Sequence, residues 1–132
     1  MTVTLYDSSV LIDYLDGEAD AVDYVRTHLD ERAVAPPLVM FEVSQGEVFR
    51  TGPADFDGLD GALGWLEVVE ETAELARSAG ELQDELSRRG EPLSARDAYI
   101  AGTAKGFDER LAVADSDFDV DGITDSLDVD FA

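Results

Sequence analysis

Apolar positions along this chain change period repeatedly, and each change marks an element. Thr2 to Tyr6 is a run of β-branched and aromatic residues, which reads as a short strand. Asp7, Ser8 and Ser9 supply helix N-cap residues, and Val10, Leu11, Tyr14 and Leu15 form one apolar face behind them. Gly17 breaks that helix. Val22, Val25 and Leu29 recur at i, i+3 and i+7 and predict a second amphipathic helix. Arg32 to Ala35 is a brief strand ended by Pro36 and Pro37. Pro37 suits the first turn of a third helix, which runs through Val39, Met40, Val43 and Phe49 to Arg50.

Gly52 and Pro53 stop that helix. The Gly- and Asp-rich stretch 54–66 reads as a weaker helix, and Val68 and Val69 as a short strand. Leu75, Ala79, Leu82 and Leu86 form the clearest helical stripe, closed by Gly90 and Pro92. Ser94 to Gly106 is an Ala-rich helix, and Arg110 to Ala114 an apolar strand. A last strand is expected near Ile123, in the acidic stretch that ends the sequence. Strands alternating with helices predict an α/β fold: a small parallel sheet covered by helices on both faces. The 132 residues contain no repeat and no long linker, so 1–132 reads as one domain.

Composition narrows the classes. Hydrophobic residues make up 45% of the chain, enough for a core. The absence of cysteine excludes a disulfide-stapled scaffold and a Cys-based zinc site. Lys and Arg number 9 against 31 Asp and Glu, a net charge of -22, which excludes nucleic-acid binding through a broad basic face. The excess acid is spread along the whole chain, Asp exceeds Glu, and Lys105 is the sole lysine. This reads as adaptation to a very salty cytosol, as in a halophilic archaeon, where salt screens self-repulsion. An acidic interaction module at ordinary salt is the rival. Neither a bilayer-length apolar run nor a signal-peptide pattern is seen, so a cytoplasmic location is expected.

Most of the acids must be surface solvation. Four sit where the fold, rather than solvent, places them. Asp7 follows the first strand, at the carboxyl edge of the sheet, where open α/β sheets bind ligands; as a plain N-cap it needs no function. Asp115 follows LAVA and emerges at the same edge, unless it is an ordinary turn residue. Asp117, Asp119 and Asp121 extend an alternation resembling a calcium loop, but Val120 stands where an EF-hand needs glycine. Glu42 shares a helical stripe with Leu38 and Phe49, whereas Glu47 is expected at the surface. Asp97 stands three residues after Ser94, as in a capping box. It also shares a face with Ile100, Ala101 and Ala104, and their small neighbours suggest close packing against the sheet.

A buried carboxylate is costly unless neutralised. Four at one sheet edge would repel one another, and a divalent cation resolves the conflict. Oxygen ligands favour Mg²⁺ or Mn²⁺, and such a site suits phosphodiester hydrolysis.

The blocks LYDSSVLIDYL, APPLVMFEVSQG, LSARDAYIAGTA and LAVADSDF, in this order, resemble the PIN-domain ribonucleases, and among them the VapC-type toxins of toxin–antitoxin pairs. The resemblance implies a three-layer α/β/α sandwich and Mg²⁺- or Mn²⁺-dependent endoribonuclease activity. It also implies a homodimer and a small antitoxin whose tail covers the active site. Carried over by position, Asp7, Glu42, Asp97 and Asp115 form the acidic quartet, with Asp7 and Asp97 as the firmest metal ligands. Ser9 matches a small hydroxyl residue that orders a water beside the metal, and Asp117 an auxiliary acid. Val113 departs from the pattern, standing where Thr or Ser is usual.

RNA contact must come from few cations: Arg50, Arg88, Arg89, Arg96 and Arg110, of which Arg96 is the leading RNA-binding candidate because it adjoins Asp97. Surface ion pairing is the plain alternative for each. The other functional readings are an RNA-processing PIN nuclease without antitoxin and an inactive PIN-like binding module. A haloacid-dehalogenase-type phosphatase needs an acid where Ser9 stands, and a receiver domain needs a lysine after a late strand, which Lys105 does not provide. His28 is expected to be exposed near a helix end. Trp65 is expected in the core or at a dimer contact rather than as a base-stacking platform.

Overall fold

The computed structural model describes residues 3–50, 52–70, 72–106, 110–114 and 127–132. Its order is β1 (Val3–Tyr6), α1 (Ser8–Leu15), α2 (Ala19–Thr27), β2 (Arg32–Ala35), α3 (Pro37–Val48), α4 (Phe56–Ala62), β3 (Glu67–Val68), α5 (Ala73–Arg88), α6 (Ala95–Gly106), β4 (Arg110–Val113) and β5 (Val129–Phe131).

The five strands form one sheet in the order β3-β2-β1-β4-β5, and every pairing is parallel. Parallel strands joined through helices are covered on both faces, so their sequences run apolar instead of alternating. Leu5 and Tyr6 of β1, Ala33 to Ala35 of β2 and Leu111 to Val113 of β4 are accordingly all buried. Leu5 pairs with Val34 on one side and Leu111 on the other, which makes β1 the central strand. The residues after β1, β2 and β4 therefore leave the sheet at one edge.

The helices bring their stripes to this sheet. Leu75, Ala79, Leu82 and Leu86 of α5 are all buried, as their spacing predicts. Thr72 caps α5, its hydroxyl accepting from the Leu75 N–H at 3.3 Å. Ile100, Ala101 and Ala104 of α6 are buried as well. The tightest approach of α6, however, is to α5 rather than to the sheet. A Cβ on Gly102 would lie 2.3 Å from the Ala79 Cα, so the two backbones touch there. Trp65 is half-buried, with its ring edge-on to Tyr6 at 5.3 Å and to Tyr14 at 5.4 Å, which gives it a core role.

Several expectations need correcting. Leu29 lies beyond α2 and is 58% exposed; the buried residues of α2 are Ala21 and Val25. His28 is half-buried instead of exposed: its ring stacks on Tyr24 at 4.1 Å, and its Nδ1 lies 2.7 Å from the Tyr24 carbonyl oxygen. The strand expected near Ile123 falls outside the described residues. β5, which the pattern did not announce, lies at Val129–Phe131 and pairs with β4. Tyr24 anchors it by donating to Asp130 Oδ2 at 2.8 Å. Burial, and then that hydrogen bond, push the Tyr24 phenol above its ordinary value, and burial first pushes Tyr6 up to about 12.

Candidate active site

The carboxyl edge of β1 delivers Asp7. Its backbone extends the strand pairing, the Asp7 N–H donating to the Ala112 carbonyl at 3.0 Å. The residue then begins α1 in N-cap position, but its side chain makes no capping hydrogen bond. The carboxylate instead faces inward and is 1% exposed. The Ser9 hydroxyl donates to Asp7 Oδ2 at 2.8 Å and accepts from the Ala114 N–H at 3.0 Å. Ser9 thus ties the first acid to the end of β4, immediately before Asp115.

Asp97 comes from the first turn of α6. The Ser94 hydroxyl accepts from its N–H at 3.2 Å, so the serine half of a capping box forms. The Asp97 carboxylate, itself nearly buried, accepts from Arg96. Glu42 enters from α3 with a side chain 24% exposed, and it too accepts from Arg96. The stripe used to single out Glu42 is not a core stripe, because Phe49 at its far end is 78% exposed; α3 packs through Val39 and Val43. Glu47, expected at the surface, is more covered than Glu42 at 18%, and its Oε1 accepts from the Asp55 N–H.

Arg96 stands at the centre. Its Nη2 donates to Asp7 Oδ1 at 2.8 Å, Glu42 Oε1 at 2.8 Å and Ser8 Oγ at 2.6 Å. Its Nε donates to Glu42 and its Nη1 to Asp97. The hydrogen bond to Glu42 outweighs the cost of burial, and the Asp7 charge adds to it, so the guanidinium is held well above its ordinary pKa. The other cations considered for RNA contact all sit in ion pairs: Arg50 with Asp16, Arg88 with Asp84, Arg89 with Glu91, and Arg110 with Glu31, Asp128 and Asp130.

The structure thus brings Asp7, Glu42, Asp97 and Ser9 together at one edge. Asp115 and Asp117 lie outside the described residues. The donor set matches a hard cation in kind, since carboxylate oxygens from three elements already surround one positive charge. That charge is the guanidinium. Among the described residues no three acids are disposed as a ready ligand shell.

A parallel α/β fold with carboxylates gathered at the carboxyl end of its central strand is the class these features define. The model of the PIN domain matches residues 4–121, and the chain belongs to that family. Its fold is similar to that of VapBC2 from Rickettsia felis bound to a promoter DNA fragment, at a TM-score of 0.82 and 17% identity over 98% of both chains. DNA-bound VapBC from Salmonella typhimurium gives 0.81 and 16% identity over 99% of this chain and 98% of that one. A toxin–antitoxin complex from Klebsiella pneumoniae gives 0.74 and 21% identity over 90% of this chain and 93% of that one. No curated protein matches the sequence.

Proposed function

We propose that this PIN-domain protein is a Mg²⁺- or Mn²⁺-dependent endoribonuclease that acts as the toxin of a toxin–antitoxin pair. The observation that carries this reading is Asp7, a buried carboxylate that ignores its helix and shares one cation with Glu42 and Asp97. Asp7 and Asp97 would hold the ion and Glu42 would complete its shell. Asp115 is proposed as the fourth acid because it follows Ala114, whose N–H already meets Ser9. Ser9 keeps Asp7 oriented, and Asp117 is an auxiliary acid. When bound, the divalent ion supplies Lewis acidity that activates water and offsets charge at the scissile phosphate.

A protein partner is supported by an exposed apolar surface on α3 and α4. Phe41, Val48, Phe49 and Phe56 are all exposed there and border a cavity of about 490 Å³. Contiguous exposed apolar groups of this kind mark interaction sites. A small antitoxin is the proposed occupant, and a homodimer is part of the same proposal. No helix among the described residues is long and apolar enough to cross a membrane, and a cytoplasmic location is proposed with the toxin role.

A second reading is an inactive binding module, favoured by one observation: Arg96 already ion-pairs with all three acids. RNA cleavage by the purified protein in molar KCl separates the two, with Mg²⁺ or Mn²⁺, with EDTA, and beside Asp7→Asn. We expect metal-dependent cleavage, lost to the EDTA level in the variant while its fold is retained. A folded protein that cleaves no RNA with either metal, or an Asp7→Asn variant as active as the parent, would falsify the enzyme assignment.

A further inference from the structure

We propose that Arg96 is the resident counter-ion of this site, and that a divalent cation binds only by displacing its guanidinium from Asp7, Glu42 and Asp97. The proposal rests on the metal reading above and goes beyond it, because it assigns the chain its own competitor for the ion.

The geometry shows which partner can yield. Both oxygens of Asp7 are in use: Oδ2 accepts from Ser9 and Oδ1 from Arg96 Nη2 at 2.8 Å. Ser9 is fixed from behind by the Ala114 N–H, so the Oδ2 contact belongs to the frame of the site. Oδ1 is the oxygen that faces the other two acids through a shared partner, and Arg96 covers it. The same guanidinium engages Glu42 through Nε and Nη2 and Asp97 through Nη1.

An ion drawing on these three acids would therefore meet all three guanidinium nitrogens. Two cations within one carboxylate cluster repel strongly where solvent screening is weak. The two aspartates are anchored, with the Asp7 side chain 1% exposed and that of Asp97 9%. Arg96 is 31% exposed, on a long side chain. The aspartates stay and the arginine moves.

The test is Mn²⁺ binding, read by electron paramagnetic resonance of free Mn²⁺ and by calorimetry, on the parent protein and on Arg96→Met and Arg96→Lys. Methionine keeps an unbranched apolar stem and removes the charge. We expect Arg96→Met to bind Mn²⁺ at least about tenfold more tightly, with Arg96→Lys between it and the parent. Unchanged or weaker binding in Arg96→Met overturns the proposal and leaves the metal reading standing. No Mn²⁺ binding by either protein overturns both.

The parent protein gives an independent readout should the variants fail to fold. Titrating Mg²⁺ should shift the Arg96 Nε–Hε resonance saturably, in step with ion binding. An Arg96 signal that stays put while Mg²⁺ binds overturns displacement.

Discussion

Asp7 commits both carboxylate oxygens inside the protein, and that makes Ser9 as consequential as any acid. Its hydroxyl bridges Asp7 Oδ2 and the Ala114 N–H, two points 107 residues apart in sequence. Ser9→Ala would free one Asp7 oxygen and leave a backbone donor without its partner. The loss should be about 1–2 kcal/mol of stability by urea unfolding. If Asp7 is a metal ligand, metal affinity or cleavage should fall about 10–100-fold, as for other groups that orient ligands from behind. A variant with the stability loss alone would separate the structural role of Ser9 from its role at the site. The positions of Asp7 and Asp97 were legible in the sequence, because each follows a recognisable strand end or helix start. Glu42 was reached through an apolar stripe that the structure does not bury. The role of Arg96 was not legible: its sequence neighbour Asp97 is one partner, but Asp7 and Glu42 lie 89 and 54 residues away. Such a bridge exists only once three elements have met.

At the scale of elements, periodicity located the helices well where a stripe was long. The four-residue stripe of α5 is buried in full, whereas the short stripe of α2 was misread at Leu29. β5 escaped because a three-residue strand whose residues are only partly buried or exposed carries no period of its own. Packing between α5 and α6 makes a sharper prediction than their stripes. Gly102→Ala would push a methyl into the Ala79 backbone and should cost about 1–3 kcal/mol. Gly80, in the middle of exposed α5 surface, has no neighbour within 4 Å. Gly80→Ala should therefore stabilise by about 0.5–1 kcal/mol through helix propensity. Thermal unfolding of the two variants, shifted in opposite directions, checks both. β5 offers a pH test. The Tyr24 phenol is held above its ordinary value by burial and by Asp130. A raised folded pKa contributes stability that is full below the unfolded value, about pH 10, and is lost as pH rises beyond it. Tyr24→Phe should be about 1 kcal/mol less stable at neutral pH, and its stability should fall less steeply above about pH 10. Urea unfolding at several alkaline pH values measures that slope.

The whole molecule carries a net charge of -22 on 132 residues, and its geometry shows how few of those charges are answered. With 9 Lys and Arg against 31 Asp and Glu, pairing cannot neutralise the surface. Arg96 and Arg110 each bridge several acids, which concentrates the available positive charge further. An excess of like charge of this size repels itself. Exposed ion pairs such as Arg77–Glu81 and Arg88–Asp84 add little individually, so they cannot offset that repulsion. Salt can. Raising KCl from about 0.1 M to about 1 M shortens the Debye length from about 10 Å to about 3 Å, which screens exposed charges from one another. The melting temperature should therefore rise steeply over that range, whereas a protein near neutrality would change little. The same screening should weaken the exposed pairs and spare the buried contacts of Asp7. The separation is measurable: unfolding of Ser9→Ala and of the parent at each salt concentration should give parallel curves, offset by a nearly constant amount. If the melting temperature were flat or falling with KCl, charge repulsion would not limit this fold. The acidic surface would then have to be explained by a partner instead of by a salty cytosol.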